Sequence, residues 1–319
     1  GSVIYQSNDN LAAGITASGT VTVESGTLMR TTVTPGADGV RLVAGENGTV
    51  DFSDEGKLTV DSGGKVESEG ETTYYATAAQ AVKNAAPNST VIVEKVADGE
   101  ELPALPDGVV LKNETGVSIV VGGETVEAGG ELFDTVAAVG EKGYPSLEAA
   151  LEAAKANDTV TIQKSGEYAP FAIKGEQQSG VTVQTADGVT ATVKTDKDSK
   201  VAVTAADVTL KGLDFVSEDG TAVISGGACD GLTLDNCSFE NKKDDLKDTI
   251  ALYIHQPSIT VQNCDFTNWE RGYYTCGDNS AAGAITFEGN TFTNVRVPFD
   301  GYWGKPATEE TDIQITGNT

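Results

Sequence analysis

A ten-residue phrase recurs along the last third of the chain and constrains its fold more than any other feature. LTLDNCSFEN begins at Leu232, ITVQNCDFTN at Ile259 and ITFEGNTFTN at Ile285. A weaker copy begins at Val208 and a shortened one at Ile313, so that successive copies start 24, 27, 26 and 28 residues apart. A repeat of this period predicts a solenoid, in which each coil contacts mainly its neighbours.

Each copy of the phrase encodes a strand, a tight turn and the start of a second strand. Apolar and polar residues alternate with the period of a β-strand, and Gly or Asn marks the turn. Stacked coils place equivalent positions above one another at ~4.8 Å. We therefore expect an internal Phe column and a structural Asn ladder, formed by Phe215, Phe239, Phe266, Phe292, Asn241, Asn268 and Asn294.

Two of the four cysteines occupy one position of the phrase. Cys237 and Cys264 are expected on neighbouring coils, and no cysteine pair has the C-x-x-C spacing of a zinc site. Stacked strands fall within the Cα range of a disulfide. Buried thiols that act as small apolar fillers are the alternative that we favour.

The phrase resembles the repeat of the right-handed parallel β-helix in the pectin lyase-like superfamily. The resemblance covers residues 136–319. It implies an all-β fold in which a parallel β-helix follows a short capping helix. It implies no particular activity, because the repeat is what builds the coil.

A second, longer repeat precedes the solenoid. Residues 75–93 align without gaps on residues 144–162, and both carry apolar residues at the i, i+3, i+4, i+7 spacing of an amphipathic helix. Thr77 and Ser146 are suitable N-caps for these helices. The second copy resembles the opening of secreted β-helix proteins, where a helix covers the open end of the coil. The first copy is expected to stop early, at a hairpin through Gly122-Gly123 and Gly129-Gly130.

These patterns predict three segments. Residues 1–72 form a short Gly-rich β module, either a small β-solenoid or a β-sandwich. Residues 73–135 form a truncated unit that resembles the start of a β-helix. Residues 136–319 form the parallel β-helix, which we expect to continue beyond Thr319.

The acidic composition excludes several classes of partner. The formal net charge is −27 and the pI about 4.2, which argues against nucleic acid and against anionic membrane surfaces. No segment reaches the ~20 apolar residues of a membrane span. Gly1-Ser2 resembles the remnant of trimming, so we expect a signal peptide to have been removed. We expect a bacterial protein that is secreted or held at the cell surface.

Aromatic and charged residues concentrate after two copies of the phrase. Flat rings beside Arg and carboxylates suit sugar rings, through stacking and paired hydrogen bonds. The alternative is that the rings pack under loops, and that Lys243, Glu270 and Arg296 form an exposed ion-pair column. The predicted glycan contacts are Trp269, Arg271, Tyr273, Tyr274, Arg296, Asp300, Tyr302 and Trp303.

No complete catalytic signature is present. His255 is the single histidine and has no identifiable nucleophile beside it. Arg296-Val297-Pro298 resembles part of the Arg-x-Pro-x-x-Arg signature of pectate lyases, but Gly301 occupies the second Arg position. If the chain is an enzyme, its candidate catalytic residues are Glu270, Arg271, Arg296 and Asp300.

Calcium is the one cofactor that the sequence leaves open. Asp244, Asp245 and Asp248 could supply oxygen ligands, but their spacing lacks the Gly-centred loop of a calcium site. They also belong to a run of alternating charge that is typical of a solvated loop. We therefore expect no cofactor and treat these residues as weak candidates.

Together these features favour a non-catalytic surface protein whose partner is a glycan, with a role in adhesion. A carbohydrate-active β-helix enzyme, either a polysaccharide lyase or a glycoside hydrolase, is the first alternative. A purely structural stalk is the second.

Overall fold

The computed structural model of the chain describes residues 13–221, 224–226, 229–255, 258–277, 284–303 and 312–319. The chain divides into two compact units, Gly1–Asp134 and Thr135–Thr319. Strands dominate both, and the described residues contain only two α-helices, which confirms the all-β prediction. Among these residues, no helix has the length and apolar character needed to cross a membrane.

The first unit contains eleven described strands and one helix. Seven strands form a continuous path in the order β1-β2-β5-β4-β6-β8-β11, with β3 beside β2, and a small sheet has the order β10-β9-β7. The elements are β1 (Ala13–Leu28), β2 (Thr31–Val50), β3 (Thr59–Val60), β4 (Gly64–Ser68), β5 (Glu71–Tyr75), α1 (Ala78–Asn84), β6 (Thr90–Val93), β7 (Glu101–Leu102), β8 (Val110–Asn113), β9 (Ile119–Val121), β10 (Glu124–Val126) and β11 (Glu131–Leu132).

The first module is a solenoid rather than a sandwich. β1 pairs with β2 in parallel, and β2 pairs with β3 in parallel. A sandwich of the immunoglobulin type would pair its strands antiparallel. The predicted boundary between residues 72 and 73 is wrong, because β5 runs across it and pairs with both β2 and β4.

The predicted helices and hairpin are present. Thr77 caps α1 in a reciprocal capping box with Gln80, and Ser146 caps the helix Leu147–Ala153 by accepting a hydrogen bond from the amide of Ala149. Strands β9 and β10 form an antiparallel hairpin. Its turn, Gly122-Gly123, has φ values of 56° and 88°, which glycine adopts without steric cost.

The second unit is a parallel β-helix. Its helix is α2 (Leu147–Ala153), and a 3₁₀ turn spans Glu176–Gln178. Its strands are β12 (Ala137–Val139), β13 (Lys142–Tyr144), β14 (Thr159–Ile162), β15 (Gly166–Tyr168), β16 (Ala172–Lys174), β17 (Thr182–Thr185), β18 (Ala191–Thr195), β19 (Val201–Thr204), β20 (Thr209–Lys211), β21 (Asp214–Ser217), β22 (Ile224–Gly226), β23 (Leu232–Asp235), β24 (Ser238–Asn241), β25 (Ile250–Ile254), β26 (Ile259–Gln262), β27 (Asp265–Gly277), β28 (Ala284–Glu288), β29 (Thr291–Trp303) and β30 (Asp312–Thr316).

The repeat sets the register of this unit. One sheet takes a single strand from each successive coil, in the order β14-β17-β20-β23-β26-β28-β30, and all these pairs are parallel. Val183, Leu210, Leu234, Val261 and Phe287 share one inward column and are fully buried. The alternation of the phrase therefore gives each strand one core face.

The Phe column is confirmed. Phe215, Phe239, Phe266 and Phe292 lie on successive coils with nearly parallel rings, whose centroids are 5.1, 4.8 and 5.0 Å apart. The first three are fully buried. Their stacking fixes the second strand of each coil above its neighbour.

The fifth position of the phrase makes the turn. Each residue there has a left-handed backbone, which Gly adopts freely and Asn tolerates. The residues are Gly212, Asn236, Asn263, Gly289 and Gly317, with φ between 53° and 69°. The sixth position then points inward, so that Cys237, Cys264 and Asn290 are buried.

The three residues of the predicted Asn ladder are linked from coil to coil by hydrogen bonds, but only Asn241 is buried. Asn241 is buried, and its amide donates to the carbonyl of Asn268 at 2.7 Å. Asn294 is exposed and donates to Oδ1 of Asn268 at 2.9 Å. Asn268 and Asn294 adopt left-handed backbone, with φ of 64° and 54°, which accounts for their residue type.

The buried amide ladder lies instead at the sixth position. The side-chain amide of Asn290 donates to the carbonyl of Val261 at 2.9 Å and to Oδ1 of Asn318 at 2.8 Å, while its own Oδ1 accepts from the backbone amide of Cys264 at 2.9 Å. One coil lower, the amide of Cys237 donates to Sγ of Cys264 at 3.4 Å. Cys237 and Cys264 are free thiols, as favoured from the sequence.

The last coils differ from the earlier ones at one corner. In earlier coils two separate strands, such as β24 and β25, are joined by a loop. β27 and β29 instead run for 13 residues each across this corner. β27 pairs with β24 through its first part and with β25 through its second part. This extended surface carries most of the residues that the sequence singled out.

Candidate functional site

Two of the predicted glycan contacts belong to the core. Trp269 is fully buried, and its indole Nε1 donates to the carbonyl of Phe239 at 3.0 Å. Tyr273 is 3 % exposed, and burial raises its pKa to about 12. The prediction that these two residues contact a ligand is therefore wrong, because neither ring reaches the surface.

A column of outward side chains runs across the second part of the long strands. The register pairs Tyr253 of β25 with Tyr274 of β27, and Tyr274 with Asp300 of β29. The rings of Tyr253 and Tyr274 stack with centroids 5.6 Å apart. Three adjacent coils thus contribute to one surface.

Arg271 connects this column to its neighbours. Its Nε donates to Oδ2 of Asp300 at 2.7 Å, and its guanidinium lies 5.5 Å from the ring centroid of Tyr274. Its Nη1 is 3.9 Å from Oε2 of Glu270. The side chain is 29 % exposed, so the guanidinium is held in place while part of it still faces solvent.

Glu270 is the most constrained carboxylate of this surface. Its side chain is 15 % exposed and accepts a hydrogen bond from the backbone amide of Asp248. Its own backbone amide donates to Oγ1 of Thr249 at 2.8 Å. Glu270 therefore ties the end of the charged loop that precedes β25 to the long strand β27.

The predicted column of Lys243, Glu270 and Arg296 forms only in part. Nη1 of Arg296 is 3.8 Å from Oε1 of Glu270. The ammonium of Lys243 instead donates to the carbonyl of Lys247 at 3.2 Å, within its own loop. Lys243 lies in the loop between β24 and β25, whereas β27 and β29 cross the same corner as continuous strands. Lys243 is therefore displaced from the column.

His255 joins the surface from the end of β25. Its ring meets the ring of Tyr253 edge-on, with centroids 4.7 Å apart. The sequence offered a usable signal, since His255 follows Tyr253 by two residues on a strand and so lies on the same face. We call the whole surface the Arg271 patch, which comprises Tyr253, His255, Glu270, Arg271, Tyr274, Arg296 and Asp300.

Neighbouring side chains lie over the ring of Tyr274, which limits how a sugar could contact this residue. Tyr253 stacks on its ring from the preceding coil, and Arg271, bonded to Asp300 of the following coil, lies over the ring as well. Ring faces used in this way are not open to a flat ligand. At Tyr274 the patch therefore offers hydrogen-bonding groups, namely a guanidinium, carboxylates and a phenol hydroxyl, rather than a free ring face.

The remaining predicted residues are Tyr302, Trp303 and the three weak calcium candidates. The side chains of Tyr302 and Trp303 fall outside the described residues. Asp244, Asp245 and Asp248 are exposed, and Oδ1 of Asp245 accepts from the amide of Lys247 at 3.0 Å. In the described part of the chain, no group of three or more His, Cys, Asp or Glu side chains could hold a metal ion.

A small polar cavity borders the charged loop. It has a volume of ≈ 270 Å³. Its lining comprises Glu240, Asn241, Lys242, Lys243, Asp244, Leu246, Asn268 and Asn294. All three members of the predicted Asn ladder thus reach a surface feature.

Comparison with known proteins adds no assignment. No protein-family model, no curated protein and no solved structure matches the chain significantly. The β-helix itself is shown by the strand pairing, whereas membership of the pectin lyase-like superfamily remains an expectation from the phrase. What the chain does must therefore be argued from the Arg271 patch.

Proposed function

We propose that this chain is a non-catalytic glycan-binding protein of the pectin lyase-like type, secreted or held at a bacterial surface, and active in adhesion. The observation that carries the proposal is the Arg271 patch. Side chains of three adjacent coils meet there, with Arg271 fixed by Asp300 at 2.7 Å and partly open to solvent. A guanidinium held by a carboxylate beside phenol hydroxyls is a suitable partner for sugar hydroxyls.

The long strands support an extended ligand. β27 and β29 keep one parallel register from Trp269↔Val295 to Gly277↔Trp303, so no loop interrupts this part of the surface. A chain of sugars laid across the coils would meet Tyr253, Tyr274 and Asp300 in succession. The net charge of −27 supports the exclusion of nucleic acid as the partner.

A glycan array tests the proposal. Binding by the wild-type chain should be lost or weakened at least about tenfold in Arg271→Ala, because the guanidinium and its hold on Asp300 disappear together. Arg41→Ala is the matched control, since Arg41 also pairs with a carboxylate, that of Glu71, but lies in the first unit. Absence of binding across a broad array, or equal loss in both variants, contradicts the proposal.

A carbohydrate-active enzyme is the second candidate, and one observation favours it. Glu270 and Asp300, the two carboxylates of the patch, both contact Arg271, at 3.9 and 2.7 Å. Converging carboxylates are the minimum that a glycosidase needs. Incubation with polysaccharides tests this candidate. If the wild-type chain releases new reducing ends or unsaturated products and Glu270→Gln does not, the chain is an enzyme rather than a binding protein.

A further inference from the structure

The charges of the Arg271 patch cancel within the patch. Arg271 contacts Asp300 and Glu270, and Arg296 contacts Glu270 at 3.8 Å. Two guanidinium groups therefore face two carboxylates, and the formal sum is +2 − 2 = 0. No other charged side chain among the described residues contacts these four in an ion pair.

The neighbouring loop is balanced in the same way. Residues 242–248 contain three lysines and three aspartates, which again sum to zero. Lys242 pairs with Glu240, and the ammonium of Lys243 donates to the carbonyl of Lys247. The loop therefore leaves no surplus of positive charge beside the patch.

The rest of the chain is strongly acidic. Its formal net charge is −27, so a neutral patch lies in a negative long-range field. A polyanion approaching the patch is repelled by this field and finds no net positive charge in the patch to offset the repulsion. An uncharged ligand experiences neither penalty.

The recognition groups also suit uncharged sugars. Asp300 uses Oδ2 for Arg271 and is 36 % exposed, so a carboxylate oxygen remains available as an acceptor. A carboxylate accepts hydrogen bonds from sugar hydroxyls but repels a uronate or a sulfate. A guanidinium with one edge committed to Asp300 still donates from its remaining N–H groups.

We infer that the Arg271 patch takes a neutral, hydroxyl-rich glycan and discriminates against acidic glycans. This inference rests on the proposed glycan-binding function and specifies the chemical class of its ligand. It predicts that affinity changes little with salt concentration, because no net charge is exchanged on binding.

The test compares two sets of probes on the wild-type chain. Neutral β-glucan, mannan and galactan are measured beside polygalacturonate, hyaluronate and heparin, each at 20 mM and 300 mM NaCl. We expect binding within the neutral set, less than about twofold change between the two salts, and no binding within the acidic set.

A charge variant sharpens the test. Asp300→Asn keeps an acceptor for Arg271 but leaves the patch with one surplus positive charge. It should make weak polygalacturonate binding measurable at 20 mM NaCl, where the wild-type chain shows none, because the exposed surplus charge attracts the anion. Glu167→Gln is the matched control, because Glu167 pairs with Lys194 at 2.8 Å away from the patch. This control should leave both sets unchanged.

The outcomes separate the inference from the function on which it rests. Acidic glycans that bind through Arg271, or bind as well as neutral ones, overturn the inference and leave glycan binding in place. No binding to either set overturns the proposed function, and the inference falls with it. Equal effects of Asp300→Asn and Glu167→Gln also contradict a role for charge balance at this patch.

Discussion

Two faces of the same β-helix differ in whether their outward side chains repeat from coil to coil. On the sheet that takes one strand per coil, the outward side chain repeats: the register aligns Thr159, Thr182, Thr209, Thr233, Thr260 and Thr286. On the strands β25, β27 and β29 the aligned outward residues are Tyr253, Tyr274 and Asp300. The backbone pairing is parallel on both faces, yet one side-chain column keeps Thr over six coils, whereas the other changes from Tyr to Asp within three.

This difference separates scaffold from candidate function. A parallel sheet is stabilised by like residues stacked in register, and β-branched Thr suits such a surface. Nothing in the coil demands a Tyr, a second Tyr and then an Asp at one position. Where the repeat is kept, the chain builds the coil; where it is broken on an exposed face, we place the ligand.

The largest expected effect lies in the repeating core. Phe239→Ala removes a ring that stacks on both Phe215 and Phe266, and should lower the free energy of unfolding by about 3–5 kcal/mol. Urea unfolding followed by circular dichroism measures it. Tyr274→Ala, on the irregular face, should cost less than about 1 kcal/mol. Similar losses of unfolding free energy in both variants would contradict the distinction between the two faces.

The next effect distinguishes the buried amide ladder from its exposed counterpart. Asn290→Ala leaves the amide of Cys264 and the carbonyl of Val261 without their partner, at a cost of about 2–3 kcal/mol. Asn294→Ala loses one exposed bond to Asn268 and should cost about 0.5 kcal/mol or less. Comparison of the two denaturation midpoints checks this order. If Asn294→Ala were the more destabilising variant, the structural ladder would lie at the Asn294 position, as predicted from the sequence.

Alkaline pH should weaken the second unit. Burial raises the pKa of Cys229 to about 11 and that of Tyr273 to about 12. Both groups hold their protons longer when folded than when unfolded, so their contribution is complete below about pH 9 and is lost towards pH 12. We expect a loss of up to about 2 kcal/mol per group. Thermal unfolding between pH 8 and 11.5 measures it, and Tyr273→Phe should flatten the profile above pH 10. An unchanged profile in that variant contradicts the assignment.

The smallest effect is expected on the uniform face. Thr260→Ala removes one hydroxyl and one methyl from a half-buried, outward-facing column and should cost about 0.5 kcal/mol, with no change in glycan binding. The same denaturation and array measurements apply. Loss of binding in this variant would place function on the repeating face and break the comparison.

The sequence predicts the scaffold far better than the surface. The period of the phrase, the Phe column and the caps at Thr77 and Ser146 follow from local patterns that the fold keeps. The boundary at residue 72 was missed because strand pairing across β5 is non-local. The spacing of the phrase predicted that Lys243 lies beside Glu270. This prediction failed because the loop at that corner is present in the coil of Lys243 and absent in the coil of Glu270.

The solvent exposure of the candidate site residues could not be predicted from the sequence. Trp269 and Arg271 are two residues apart on β27, and both are residue types common in glycan sites. Trp269 is fully buried, whereas Arg271 is 29 % exposed. Strict strand alternation would place both side chains on one face, but the alternation is broken between them where β27 crosses the corner.

The most direct test measures stability and glycan binding together in Trp269→Phe and Arg271→Ala. Trp269→Phe loses the bond from Nε1 to the carbonyl of Phe239, and should cost about 1–3 kcal/mol of stability while glycan affinity stays unchanged. Arg271→Ala loses partly exposed ion pairs, and should cost less than about 1 kcal/mol while binding is lost. The opposite pattern, with binding lost in Trp269→Phe and kept in Arg271→Ala, would contradict the assignment of scaffold and function to these neighbouring residues.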